Sequence, residues 1–236
     1  RLFFRLAAEN NFEAADLCIS HSTSTSISVF HKEIDSYTEH ETINLTARGI
    51  IGGKFGSVVT EKIERSTPEF LINSIKQTAK IIEKADAGII YKGSKKYHRK
   101  NIFNKKVEEL DVKKAIKNCF EIEKKLYEFD KRIDEVICVG FEKEVRDASL
   151  SNSYGLELKE KQATYTYYAQ ITAANGDEKR TGFKVFASMD PEQFEIDKFV
   201  KEVAEDALKK LGSVQFKSKK YPIVFNPETT SILLKH

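Results

Sequence analysis

The stretch that decides the fold covers residues 163–188 and reads ATYTYYAQITAANGDEKRTGFKVFAS. Two runs of strand character, 163–173 and 180–188, flank the sequence Asn175-Gly176-Asp177. An Asn-Gly pair between such runs favours a tight hairpin turn, because both residues tolerate a positive φ. The stretch therefore predicts two neighbouring antiparallel strands.

The segments around this hairpin indicate a unit of sheet packed by helices, over residues 111–220. Asp111 is placed to cap a helix whose apolar residues recur at helical spacing. Residues 133–145 alternate apolar and polar side chains, which is typical of a strand, and 154–160 predict another. The capping sequence 190–193 precedes a helix predicted from about residue 197 to 211, which Gly212 ends.

The N-terminal part of the chain predicts a similar unit over residues 1–91. Gly52-Gly53 favours a tight turn, and Thr67-Pro68 begins a helix that Gly88 is placed to end. Strands are predicted at 14–20, 25–34, 37–48 and 54–63. The predicted class is α+β: two units of mainly antiparallel sheet packed by helices, joined by a basic linker, 92–110. A last strand, 221–225, opens a further domain that 221–236 only begin.

Composition excludes several classes of protein. Lys and Arg number 39 against 36 Asp and Glu, so the large basic excess of a dedicated nucleic-acid binder is missing. No apolar run approaches the roughly 18 residues of a membrane-spanning helix, and the start, RLFFR, is too short for a secretory signal. Cys18, Cys119 and Cys138 are widely spaced among apolar neighbours, which favours buried thiols in a reducing compartment. We therefore expect a cytoplasmic protein.

Two segments invite a binding-site interpretation that their details do not support. The glycine-rich segment 49–56 resembles a phosphate loop, but Phe55 follows Lys54 where Ser or Thr is needed, so a glycine turn is favoured. The segment 92–106 holds seven Lys or Arg residues and no acid, interleaved with Tyr97 and Phe103. This segment could bind nucleic acid, but the balanced charge of the rest of the chain favours a solvated linker.

His31 and His40 form the one candidate for a metal pair. A two-residue turn at Asp35-Ser36 would place them directly opposite each other on neighbouring strands. Structural zinc needs four ligands, however, and only two are evident, so adjacent polar side chains are the favoured interpretation.

The remaining reactive side chains do not assemble into a catalytic pattern. The Ser/Thr-rich segment 21–30 has no accompanying nucleophile elbow, and no cysteine has a base at suitable spacing. We therefore predict no catalytic, cofactor-binding or metal-binding residue in this chain.

An ordered set of short strings resembles the TldD/PmbA family, whose PmbA-type subunit is also called TldE. The resemblance covers nearly the whole chain, and its strings are LTARG (45–49) with GKFGSVVT (53–60), VRDAS (145–149) with NSYGL (152–156), and AEDA (204–207) with YPIVFNP (221–227). It implies about half of a subunit in a two-subunit zinc peptidase that acts on unfolded or leader peptides. The family is also known as a modulator of DNA gyrase.

The same resemblance implies that the zinc belongs to a partner. In TldD-type subunits a helix with His-Glu-x-x-x-His supplies the zinc ligands and the general base. Here Lys235 stands at the first ligand position and His236 at the position of the Glu, which is similar to the non-catalytic PmbA-type subunit. The implied partners are a TldD-type subunit or a second copy, and an extended peptide; no cofactor is expected in this chain.

Two alternatives of other classes stay open. One is a stand-alone interaction module that binds peptides along an exposed edge of the Ser/Thr-rich strand. The other is a nucleic-acid or gyrase-associated accessory protein that uses Lys95, Lys96, Arg99 and Lys100.

Overall fold

The computed structural model describes residues 1–82, 88–98 and 100–235. The strands are β1 Ala14–Phe30, β2 Glu33–Ile51, β3 Lys54–Thr60, β4 Ile133–Asn152, β5 Glu157–Asn175 and β6 Glu178–Ser188. The helices are α1 Leu2–Glu9, α2 Thr67–Ile81, α3 Lys105–Glu108, α4 Val112–Phe129, α5 Ile196–Leu208 and α6 Pro227–Leu233. Within these ranges no helix is both long and apolar enough to cross a membrane.

All six strands form one antiparallel sheet in the order β3-β2-β1-β4-β5-β6. The predicted α+β class with antiparallel pairing is confirmed. The strands of the two predicted units join where β1 pairs with β4, from Asp16 opposite Asn152 to Val29 opposite Val139. The sheet is therefore continuous across the predicted linker, and the division of the chain into domains stays a prediction.

The hairpin turns follow the sequence at two of three places. Gly52 and Gly53 both have positive φ and join β2 to β3, and Gly176 with Asp177 joins β5 to β6, as predicted. The turn predicted at Asp35-Ser36 is wrong, because the chain turns at His31 and Lys32, which have φ of 49° and 64°. Two non-glycine residues with positive φ are costly, and a carboxylate offsets the cost: buried Glu123 of α4 accepts the Lys32 N–H at 3.0 Å.

One face of the sheet carries both hydrophobic clusters of the described residues, and we call it the packed face. A row of directly paired residues crosses four strands: Ile27, Phe141, Tyr167 and Phe186. Helices α4 and α5 cover this end of the sheet with the buried residues Ala115, Cys119, Ile122, Leu126, Phe199, Val200, Val203, Ala204 and Ala207.

The far end of the packed face is covered by α1 and α2. Phe3, Leu71 and Ile75 meet Ala15 and Ala47 there, in a second cluster. Ala15 and Ile27 are an even number of residues apart on β1, so both clusters lie on the same side of the sheet. The close approach of α2 explains a glycine: a Cβ at Gly56 would lie 2.2 Å from the Ile75 carbonyl oxygen.

Several predicted boundaries shift. Helix α2 ends at Ile81, before Gly88, and its cap position is Ser66 rather than Thr67. Asp111 caps α4 as predicted, with its carboxylate accepting the Lys113 N–H at 2.9 Å. The strand predicted at 221–225 does not form: these residues are irregular and exposed, because no strand of the described chain lies beside them.

Gly140 is another position where the sheet leaves no room for a side chain. Its direct partner on β5 is Tyr168, and a Cβ at Gly140 would lie 2.0 Å from the Tyr168 Cζ. The ring thus covers the glycine, an arrangement that compensates for the missing side chain in a strand.

We expect Gly140→Ala to lower the free energy of unfolding by about 1–3 kcal/mol, because the ring must move from its place. In a Tyr168→Ala background the same substitution should be neutral or stabilising, since alanine is better than glycine in a strand. Urea unfolding of the two single variants and the double variant measures this coupling. Additive effects would contradict the contact.

Candidate functional site: the open face of the sheet

The second face of the sheet, here called the open face, contributes no side chain to either helix-packed cluster of the described residues. On β1 it presents Ser20, Ser22, Ser24, Ser26 and Ser28, one at every second position. The Ser/Thr-rich pattern therefore arises because β1 is central in the sheet while one of its faces contacts no core. A row of hydroxyls offers hydrogen bonds of both kinds to anything that lies on it.

Part of this row is already engaged with neighbouring strands. Ser22 Oγ lies 2.9 Å from Thr42 Oγ1, and Ser28 Oγ donates to Asp35 at 2.9 Å. At the other end Arg146 Nε donates to Ser20 Oγ at 2.9 Å. Ser24 and Ser26 have no recorded side-chain partner in the described ranges, so the middle of the row is available to a ligand.

The open face becomes aromatic and apolar towards β6. Tyr168 lies over Gly140, and Phe183 and Val185 of β6 are about half exposed. Burial raises the pKa of the Tyr168 hydroxyl, so this group is protonated at neutral pH and can donate a hydrogen bond. The open face is therefore rich in hydroxyls at β1 and apolar at β6.

A buried ion pair closes one end of the open face. Asp16 is only 3% exposed and pairs directly with Arg48 on β2. Arg48 Nε donates to Asp16 Oδ1 at 2.8 Å, and its Nη2 donates to Oδ2. This two-bond contact raises the pKa of the guanidinium, which is half exposed.

Asn152, opposite Asp16 on its other side, fastens three segments together. Its Oδ1 accepts the N–H groups of Tyr154 and Leu156 at 2.9 Å, which shapes the turn into β5. Its Nδ2 donates to the Tyr91 carbonyl at 2.6 Å, which holds the segment after α2 against the sheet. Asp16 therefore brings together two strings that are more than a hundred residues apart, the one with Arg48 and the one with Asn152.

The hydroxyl groups of this face are suited to hydrogen bonding. Among the described residues, no three His, Cys, Asp or Glu side chains converge as metal ligands. The residues present therefore do not fit a zinc site, and no step through zinc is assigned to them. His21 bonds Glu41 at 2.7 Å, but this exposed pair lies on the packed side of the strands.

Comparison with family models assigns both halves of the sheet. Residues 105–211 match the PmbA/TldA metallopeptidase central domain, and residues 15–85 match PmbA/TldA metallopeptidase domain 1. The chain belongs to the PmbA/TldD family. Its sequence has no significant match among curated proteins.

Three solved structures share the fold of this PmbA/TldD family member. A proposed modulator of DNA gyrase from Bacteroides thetaiotaomicron is 20% identical, with a TM-score of 0.83 over 99% of this chain and 54% of that one. A second, from Thermotoga maritima, is 20% identical, with a TM-score of 0.76 over 92% and 49%. TldE from Thermococcus kodakarensis is 18% identical, with a TM-score of 0.73 over 87% and 47%. The chain thus spans about half the length of these structures.

The histidine pair proposed from the sequence does not form. His31 lies in the β1–β2 turn and stacks on Phe30, whereas His40 lies opposite Ser24 in the ladder. The reason is the position of the turn, four residues earlier than predicted, which shifts every cross-strand partner. The peptide-binding edge proposed for the Ser/Thr-rich strand is also wrong, because β1 pairs with β2 on one side and β4 on the other.

The basic segment is irregular until α3 and part of it is engaged. Lys106 binds Glu192 at 2.5 Å, Lys105 binds Glu109 at 3.0 Å, and Lys92 Nζ lies 5.3 Å from the Tyr154 ring centroid. Lys95, Lys96 and Lys100 are exposed, while Arg99 lies outside the described residues. Lys235 is exposed after α6, and His236 likewise lies outside that part of the chain.

The sequence did not predict the structural roles of two buried carboxylates, Asp16 and Glu123, in this PmbA/TldD family fold. Asp16 follows Ala14 and Ala15 at the start of a strand, and Glu123 sits among the apolar positions of α4. A carboxylate at a position where the periodicity expects an apolar residue was the available signal. Its partners could not be read, because Arg48 and Lys32 are remote in the sequence.

We expect Arg48→Met to destabilise the protein by about 2–3 kcal/mol, because it leaves the Asp16 carboxylate buried without its partner. Asp16→Asn should cost about 1 kcal/mol, since half-exposed Arg48 stays hydrated. Chemical unfolding at neutral pH compares the two. Asp16→Leu combined with Arg48→Met should recover part of the stability that Arg48→Met alone loses. Equal destabilisation by the two single variants would show that burial of Asp16 does not determine the effect.

The three cysteines differ in exposure, so they should differ in reactivity. Cys119 is fully buried on α4 and burial raises its pKa to about 12, whereas Cys18 and Cys138 are half-buried. At about pH 8 the thiolate of Cys119 is almost absent, and we expect a thiol reagent to modify it only as fast as the chain unfolds. Cys18→Ser/Cys138→Ser isolates Cys119 for this measurement, with Cys119→Ala as the control.

Proposed function

We propose that this chain is the N-terminal portion of a non-catalytic PmbA/TldE-type subunit of a two-subunit zinc metallopeptidase. In this proposal it works in the cytoplasm beside a TldD-type subunit, and the substrate is an unfolded or leader peptide. The observation that carries the proposal is a family fold in which, among the described residues, α1, α2, α4 and α5 pack on one face of the sheet and the other face carries a row of hydroxyls. Such a face suits the wall of a cavity that holds a peptide without reacting with it.

The proposed role of the open face is to hold substrate in an extended form. Hydroxyls such as Ser24 and Ser26 can exchange hydrogen bonds with a peptide backbone whatever its sequence, because every residue offers the same N–H and C=O groups. Tyr168, Phe183 and Val185 add an apolar surface for side chains that an unfolded peptide exposes. A wall of this composition selects for unfolded chains rather than for one sequence.

The assignment to the non-catalytic subunit rests on Lys235. In the alignment that the resemblance implies, Lys235 stands where a TldD-type subunit has its first zinc-binding histidine. An ammonium group has no lone pair to offer a metal, so this position cannot complete a zinc site at neutral pH. In the proposal the zinc, which activates water when bound, belongs to the partner subunit. A second copy of this chain in place of the TldD-type subunit is the alternative partner.

A stand-alone peptide-binding module is the second candidate, because the open face could bind peptides without any partner. The nucleic-acid or gyrase-associated role is a weaker proposal. Two of the similar structures carry the name of a proposed gyrase modulator, and Lys95, Lys96 and Lys100 are exposed. The near balance of 39 basic and 36 acidic residues argues against nucleic acid as the main partner.

Co-expression with a His-Glu-x-x-x-His homologue from the same genome tests the proposal. We expect the two proteins to co-purify, and the complex to cleave an unstructured peptide in a reaction that a zinc chelator stops. The chain alone should bind peptide without cleaving it. Failure of the two proteins to associate overturns the subunit assignment, and peptide binding without association would favour the stand-alone module.

Ser24→Val/Ser26→Val tests the wall itself within that complex. Two hydroxyls are replaced by apolar valine side chains, which are one heavy atom larger and cannot hydrogen-bond, so the KM for an unstructured peptide should rise severalfold while kcat stays near its original value. Ser213→Val, an exposed position after α5, is the matched control. A fall in kcat at unchanged KM would contradict a holding role.

A further inference from the structure

In the described residues the outer edge of the sheet has four stretches: β3, β6, the first half of β2, and residues 157–164 of β5, which extend beyond the pairing with β6. Helices contact the first two, and in the fourth the Ala163 N–H donates to the Ile102 carbonyl at 3.4 Å. On β3, Thr78 Oγ1 of α2 lies 3.1 Å from the Ser57 nitrogen and 3.2 Å from its carbonyl oxygen. On β6, Asp206 of α5 accepts the Phe183 N–H at 3.1 Å, and Lys210 donates to the Thr181 carbonyl at 2.8 Å. Side chains of the helices therefore occupy the outward backbone groups of Ser57 on β3, and the Phe183 N–H and Thr181 C=O on β6.

The third edge is the first half of β2, and it is bare. β3 pairs with β2 only from Leu45 to Ile51, so residues 33–44 have a neighbour on the β1 side alone. Residues 33–43 are exposed on both faces, and in the described part of the chain their backbone bonds to nothing beyond β1. An exposed, regular strand edge of this kind is a template for another strand.

The pairing identifies which residues point outwards. Ser57 directs both backbone groups at Thr78, away from β2, so its direct partner Arg48 must direct its own groups at β1. No register shift separates Arg48 from Ser36 in the β1–β2 ladder. The outward residues are therefore the odd-numbered ones, Tyr37, Glu39, Glu41 and Ile43, which present four N–H and four C=O groups.

This edge is held in place before any partner arrives. Its inner side pairs with β1 from Ser36 onwards, and the turn beyond it is tied to α4 by Glu123. A strand that adds here would lose its own conformational freedom, but little of the protein would have to become ordered. The entropic cost of binding is therefore low. The one irregularity, at Asp35, lies outside the regular part.

The first half of β2 is acidic, which favours a basic partner strand. Glu33, Asp35, Glu39 and Glu41 lie within residues 33–44, which contain no Lys or Arg. Glu39 accepts the Tyr37 hydroxyl at 2.5 Å and Glu41 meets His21 at 2.7 Å, so neither has a lysine or arginine partner. A second copy paired along the same edge would place carboxylates beside carboxylates, which is unfavourable.

We propose that residues 36–44 of β2 bind an extended, lysine- or arginine-rich segment of another polypeptide, which adds to the sheet as a seventh strand. Backbone bonds to Tyr37, Glu39, Glu41 and Ile43 supply the binding energy, and basic side chains at alternate positions meet Glu39 and Glu41. The site is separate from the open face and does not depend on the proposed peptidase role.

The test uses a synthetic nine-residue peptide that alternates lysine with threonine, and residue-resolved amide hydrogen exchange of the chain. Without peptide, the outward amides of residues 37, 39, 41 and 43 should exchange fast, and the inward amides of 38, 40 and 42 slowly. With peptide, the outward amides should slow by about tenfold or more while the inward ones stay unchanged. The same peptide with glutamate for lysine, or with alternate backbone nitrogens methylated, should have no effect.

Glu39→Lys/Glu41→Lys should weaken binding of the lysine peptide by roughly tenfold, since two attractive cross-strand pairs become repulsive. Glu69→Lys/Glu202→Lys makes the same change of charge at exposed helix positions and should leave binding unaltered. Three results overturn the proposal: equal binding of the lysine and glutamate peptides, outward amides protected by self-association as protein concentration rises, and outward amides already protected in the intact gene product without peptide.

Discussion

Fourteen directly opposed pairs join β1 to β4, from Asp16 and Asn152 to Val29 and Val139, and this seam makes one sheet of two hairpin systems. It places Ile27 beside Phe141, which continues the aromatic row of β5 and β6 into the N-terminal half. It also gives Asp16 its two neighbours, Arg48 and Asn152. Without the seam, each half would expose an unpaired edge and part of a core face.

The seam also explains the unusual composition of β1. A central strand would ordinarily be apolar on both faces if helices covered both, but here α1, α2, α4 and α5 all pack on one side. The odd positions of β1 therefore end in Ile27 and Val29, while the even positions carry five serines. The polar face results from the placement of the helices, and it is the surface on which we base the proposed function.

The same sheet treats its edges differently. Helices α2 and α5 lie near enough to β3 and β6 to bond their outward backbone groups, and this protects them from unwanted strand pairing. The first part of β2, residues 33–44, lies between the β1–β2 turn and Leu45, the first residue of β2 that pairs with β3. Glu123 keeps this hairpin docked on α4, so the bare edge is a fixed part of the fold rather than a frayed one.

Local chemistry was sufficient for the elements that depend on neighbouring residues. Gly52-Gly53 and Gly176-Asp177 form their turns because glycine adopts a positive φ at little cost, and Asp111 caps α4 because its carboxylate reaches a backbone N–H two residues away. Alternation and helical periodicity likewise predicted the α+β class. The family could be recognised from short ordered strings.

What the sequence could not determine are the contacts between remote residues. The β1–β2 turn forms at His31-Lys32 because Glu123, about ninety positions away, accepts a backbone N–H there, and that displaced turn separates His31 from His40. The strand order follows from the pairing of remote strands, the covered face follows from where the helices pack, and the first half of β2 stays unpaired because β3 is short. Alternation of side chains predicts that the two faces of a strand differ. It does not predict what each face contacts, because burial depends on the whole fold.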